Sequence, residues 1–238
     1  RSTASVVATS GPQEALTEEL RSASLDALLG MPASTREALR AQLSRLLAHD
    51  SPRRAELLAG RGRWLHAARD CRLLRPTRVR NFTDCMASLH HVARAGKQVR
   101  PENPVLPNLW YMPAAYHSRA STVQVSGIDV RRPSGQMLAS GSSVPQFGPT
   151  RALDYEAEIA LWIGGENALG TPEPIATAGA RIAGVGLLND WSAREIQRWE
   201  TQPLGPMLGK SFHTTVSPWI VTAEALRPYR TSLAPRRD

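Results

Sequence analysis

The chain has 238 residues and carries 29 Lys and Arg against 21 Asp and Glu, a formal charge of +8. Apolar residues make up 42% and charged residues 21%, a globular balance that excludes full-length disorder. No apolar run reaches the length of a membrane span, and two cysteines, Cys71 and Cys85, are too few for a disulfide framework or a zinc cage.

In chain order, residues 1–24 are small and polar and read as a frayed lead-in. Arg1 stands where an initiator Met would, and no apolar signal core follows, so a trimmed chain with reduced thiols in the cytoplasm is expected. Ser34 followed by Glu37 forms the pattern of a capping box, and Leu39, Leu43, Leu46 and Leu47 recur at helical spacing. Ser51-Pro52 opens a second short helix that Gly60 closes. Residues 1–80 hold 14 Arg against 8 acids. No basic run is interleaved with aromatics, so this excess reads as a solvated helical surface and no nucleic-acid partner is expected.

From Arg75 the leucine stripes give way to short apolar runs with frequent Pro and Gly. The spacing predicts a helix over 81–95, a strand over 123–130 and a turn at Arg132-Pro133-Ser134-Gly135. Leu153 to Ile163 alternates as a strand, and the apolar run Ile182 to Leu188 reads as a buried strand. A helix over 190–201, stopped by Pro203 and Gly205, and a strand over 217–222 follow. The expected fold class is α+β, with a helical leader over 1–74 and a β-rich domain over 75–238.

Four constellations carry chemistry. In a strand over 153–163, Glu156 and Glu158 share one face ~7 Å apart. Two carboxylates that close repel unless water or a cation screens them, and a hard divalent cation such as Mg²⁺ or Ca²⁺ suits oxygen ligands. Asp190 ends a buried run, and Asp190, Arg194, Gln197 and Thr201 fall on one face of a helix; a plain N-cap role for Asp190 is the alternative. Asp84 and His91, seven residues apart, share a helical face, with His91 as either a general base or a structural histidine beside His90. Lys210, in a Gly-rich segment, is one of two lysines among 29 cations. A compact ammonium could neutralise an oxyanion there, or sit exposed in a turn.

These segments together resemble the fumarylacetoacetate hydrolase family. The matching words are Asn81-Phe82-Thr83-Asp84, His90-His91, Tyr116 through Ser121, Arg131 through Gln136, Leu153 through Glu158, Asn189 through Arg194, Pro203 through Thr215 and Ser217-Pro218-Trp219. The resemblance implies a layered mixed-sheet catalytic domain, here incomplete, preceded by a remnant of an N-terminal domain and linker. It also implies a cytoplasmic homodimeric hydrolase of tyrosine and phenylalanine catabolism, cleaving a carbon–carbon bond in a β-diketo acid, as in fumarylacetoacetate to fumarate and acetoacetate. An acylpyruvate-type hydrolase of the same superfamily and an inactive fragment are the alternatives. Matched by position, Asp84, Glu156, Glu158 and Asp190 are metal carboxylates, with Lys210 and Thr214 in the cation's neighbourhood. His91 matches the general base; Arg100, Arg194, Gln197 and Lys210 match residues that hold the substrate or its oxyanion. Met86 and Thr201 replace family tyrosines, and His213 replaces a Gly. The family domain continues beyond Asp238, so the chain alone is expected to be a weak catalyst.

Overall fold

A computed structural model describes residues 24–112 and 114–232. The lead-in read at 1–24 therefore lies almost wholly outside the described residues. Elements run in the order α1 (Asp26–Gly30), α2 (Ala33–Leu47), α3 (Arg54–Ala59), β1 (Thr83–Cys85), α4 (Leu89–Val99), β2 (Ala115–His117) and β3 (Val123–Val125). Next come β4 (Ser134–Met137), β5 (Gln146–Pro149), β6 (Leu153–Asp154), β7 (Ala157–Ile163), α5 (Ile175–Ala178) and β8 (Ile182–Asp190). The last are β9 (Ser192–Ala193), α6 (Arg194–Glu200), α7 (Leu208–Ser211), β10 (Thr214–Val216) and β11 (Val221–Thr222), which completes an α+β fold. The chain divides into two compact units, residues 1–78, 158–188 and 216–238 in one, and 79–157 and 189–215 in the other.

In the first unit, α2 begins after Pro32 as N-cap with no side-chain cap, so the capping box expected at Ser34 does not form. The fixed φ of Pro suits a helix start and takes that role. Of the leucine stripe, Leu39 is buried and Leu47 is exposed. The buried guanidinium of Arg36 instead ties the helix to the C-terminal stretch through Glu224, at 2.9 Å. A Cβ on Gly164 would lie 2.0 Å from the Leu29 carbonyl oxygen, so only Gly allows that backbone approach.

Strands β7, β8 and β11 form the sheet of this unit, with β11 antiparallel to β8 and Val221 opposite Val185. A Cβ on Gly186 would lie 3.1 Å from the Trp162 indole nitrogen, so Trp162 covers the face of Gly186. Alternation then puts Ile159, Leu161, Ile163, Val185, Leu187 and Val221 on the opposite face. All but Val185 are exposed, which leaves an apolar sheet face open to solvent.

In the second unit, β1 pairs antiparallel with β2, β4 with β5, and β6 with β9, and β3 lies beside β10. The helix expected over 81–95 forms only from Leu89. Thr83 to Cys85 is a strand because it pairs with Ala115 to His117, and helix α4 begins only after Ser88, whose hydroxyl accepts the His91 N–H at 3.3 Å. Asp84 and His91 are therefore not on one helical face. The strand expected over 123–130 ends at Val125, and Ser134-Gly135, expected in a turn, open β4. Gly135 sits there because a Cβ would meet the Ile196 side chain at 2.8 Å, where α6 presses its one buried apolar residue on the hairpin. The strand expected over 153–163 breaks at Tyr155-Glu156 into β6 and β7, so Glu156 stands in the break and not on the regular face it was expected to share with Glu158. The helix expected from Asp190 starts at Arg194, because Ser192-Ala193 pair with β6 first. The strand expected over 217–222 is reduced to Val221–Thr222.

Candidate active site

Two antiparallel segments build the centre of the second unit. Leu153 pairs with Ala193 and Asp154 with Ser192, and the Asp190 N–H donates to the Glu156 carbonyl at 3.0 Å. The Asn189 side chain receives the Glu156 N–H at 3.1 Å. These bonds bring Glu156 beside Asp190 although 34 positions separate them in the chain.

Lys210 joins the two. Its ammonium donates to Asp190 Oδ2 at 2.6 Å and to Glu156 Oε2. The side chain is 4% exposed, so the exposed-turn alternative for this residue is excluded. Burial works against the ammonium, but the two carboxylates hold its pKa above the ordinary value. Two of its three protons are taken by Glu156 and Asp190, and the third remains for a further acceptor.

Arg194, the first residue of α6, donates to Asp154 Oδ2 at 2.9 Å, to Glu156 Oε1 at 2.7 Å and to Gln197 Oε1 at 3.0 Å. Asp154 is held below the carboxylate range, first by its bond from Arg194. Burial opposes the charge on Glu156, yet Lys210 and Arg194 outweigh it and lower its pKa. Gln197 stays beside Arg194 through their i,i+3 relation, with its amide NH₂ left to donate. Thr201 closes the helix, and its hydroxyl donates to the Gln197 carbonyl at 2.5 Å.

Asp84 faces Tyr116, its cross-strand partner, whose phenol donates to Asp84 Oδ2 at 2.8 Å. Burial, then the charges of Asp190 and Asp84, push the phenol pKa up, so Tyr116 remains a donor. Asp190 is fully buried, and its pKa is pushed up to about 6, by burial first; Asp84 and Glu156 add to this while Lys210 opposes it. Its Oδ1 is buried without a hydrogen-bond partner. An orphaned carboxylate oxygen among acids that raise its pKa fits a hard cation, which would replace the missing donor.

Of the other expected residues, Glu158 is the second residue of β7. His91 is exposed in the first turn of α4, and Arg100 is exposed as that helix's C-cap. Thr214 is buried on β10; the neighbouring His213 is buried too, which lowers its pKa. Met86 is exposed. Asp154 and Tyr116 carry no role predicted from the sequence, although both lie within segments that resemble the family. Asp154 has a legible signal, an acid two residues before Glu156, whereas the Tyr116–Asp84 contact depends on strand pairing 32 residues apart.

The site belongs to a class in which paired carboxylates are bridged by a buried lysine and an arginine on an α+β scaffold. The chain belongs to the fumarylacetoacetate hydrolase family: the family model described as Fumarylacetoacetate (FAA) hydrolase C-terminal matches residues 80–236. Among its relatives is the fumarylacetoacetase of Caenorhabditis elegans, 45% identical over 92% of this chain and 53% of the relative. That of Oryza sativa subsp. japonica is 44% identical over 96% of this chain and 53% of the relative. The Homo sapiens fumarylacetoacetase is 48% identical over 65% of this chain and 37% of the relative. The chain spans about half the length of the first two.

Proposed function

We propose that the chain carries the cation-binding and oxyanion-binding part of a fumarylacetoacetase, which hydrolyses a carbon–carbon bond in a β-diketo acid within tyrosine and phenylalanine catabolism. The observation that carries this reading is the buried Lys210 ammonium between Glu156 and Asp190, with Asp190 Oδ1 left open. Asp84, Glu156, Glu158 and Asp190 would hold a divalent cation, Mg²⁺ or Ca²⁺, with Thr214 in its neighbourhood. When bound, such a cation supplies Lewis-acid polarisation of the diketo oxygens. His91 takes a proton from the attacking water. The third Lys210 proton and the Gln197 amide donate to the oxyanion, while Arg194 fixes Gln197 and Glu156. Arg100 binds the substrate carboxylate. The carbon fragment leaves as an enolate and is then protonated. The working form is a cytoplasmic homodimer.

Calcium titration by calorimetry and turnover of fumarylacetoacetate test the reading on the 238-residue chain and its Asp190→Asn variant. Cation binding by the wild-type chain, lost in Asp190→Asn, is expected, and no binding in either overturns the reading. Turnover is expected to be weak, because the relatives are about twice as long. Met86 and Thr201 in place of family phenols favour a second reading, an acylpyruvate-type substrate. A panel of both substrates separates the two by kcat/KM.

A further inference from the structure

Lys210 is delivered to the site by a segment that should be loose. Residues 202–208 are almost bare of apolar cover, and Leu204, Met207 and Leu208 are exposed. One side chain closes the segment. Glu200, the last residue of α6, accepts the N–H of Met207 at 2.8 Å and of Gly209 at 2.6 Å on one carboxylate oxygen, and of Leu208 at 3.0 Å on the other. A carboxylate at a helix C-terminus is opposed by the helix dipole, so this placement needs compensation, and the three N–H donors provide it. Gly209 makes the second fastening: a Cβ there would lie 2.6 Å from the Gln197 backbone nitrogen, so the segment rests directly on the helix.

We propose that Glu200 is the positioning residue for Lys210: by clamping three successive backbone N–H groups just before it, Glu200 fixes the ammonium between Glu156 and Asp190. Its value to catalysis rests on the hydrolase reading above; the positioning itself does not.

The chain offers a direct readout because Lys97 and Lys210 are its only lysines, and Lys97 is exposed. Limited acylation of the full chain with an amine-selective acetyl ester, read by peptide mass spectrometry, gives the Lys210 rate with Lys97 as internal standard. In the wild-type chain Lys210 should react at least about tenfold more slowly than Lys97. In Glu200→Ala that protection should fall about tenfold with the Lys97 rate unchanged. Glu200→Gln, whose amide oxygen still accepts N–H bonds, should restore most of it. The proposal is overturned if Glu200→Ala leaves Lys210 as protected as before, or if the Lys97 and Lys210 rates rise together in both variants. Protection that behaves as expected in a chain without hydrolase activity would sink the hydrolase reading and leave the Glu200 clamp standing.

Discussion

Lys210 shows how much a single side chain settles here. Its scarcity in a chain that otherwise uses Arg was legible from composition, and burial between two acids accounts for it: a compact ammonium fits where a planar guanidinium would not. Removing it by Lys210→Met leaves Asp190 buried without its cation and Glu156 with Arg194 alone. We expect a loss of about 3–5 kcal/mol in urea unfolding, partly recovered by adding Ca²⁺. Asp190 carries a pH signature. Its folded pKa, pushed up to about 6, lies above the unfolded value. Its contribution to stability is therefore fully present at low pH and is lost as pH rises through about 6. Ca²⁺ competes with that proton, so calcium affinity should weaken as pH falls from 7.5 to 5; calorimetry at both values checks it. Glu156, Asp190 and Lys210 stand out as candidates from residue type and spacing, and the fold joins them through the Lys210 ammonium, whereas the helical face expected for Asp84 and His91 does not form. The Asp84–Tyr116 bond was not, because nothing local marks residues 32 apart as strand partners.

Elements were misread where pairing overrode local pattern. Asn81 to Ala95 has helical spacing, yet its first part joins β2 and leaves only the stretch after Ser88 to the helix. Asp190 has the composition of an N-cap, but the backbone bonds to 152–156 extend the strand pairing and postpone the helix to Arg194. Gly135 read as a turn residue, and its real reason is contact with Ile196 from an element sixty residues downstream, which no local window contains. The close seat of Gly209 on α6 gives a prediction at this scale. Gly209→Ala forces the loop and helix apart and should cost about 1–3 kcal/mol. A thermal melt should show it, and Lys210 should become more reactive toward amine reagents in the same variant.

For the whole molecule, the sequence predicts an α+β chain, and the strands β7, β8 and β11 carry an apolar face open to solvent. Five exposed large apolar residues on one sheet face form an apolar patch of the kind that marks an association surface. The isolated chain should self-associate, and Leu161→Lys with Leu187→Lys should shift it toward the monomer in sedimentation velocity without loss of helix or strand signal. Among the described residues no helix is long and apolar enough to cross a membrane.

The division into two units has a consequence for anyone cutting this protein. The boundaries at 157/158, 188/189 and 215/216 fall inside β7, β8 and β10, not in linkers. At three of its four crossings the polypeptide thus passes from one unit to the other partway along a strand, the crossing at 78/79 lying outside any helix or strand, and neither unit is a contiguous stretch of gene. Trimming from either terminus removes material from the first unit before it frees the second, so the second unit could be isolated only by stitching 79–157 to 189–215 with a designed joint.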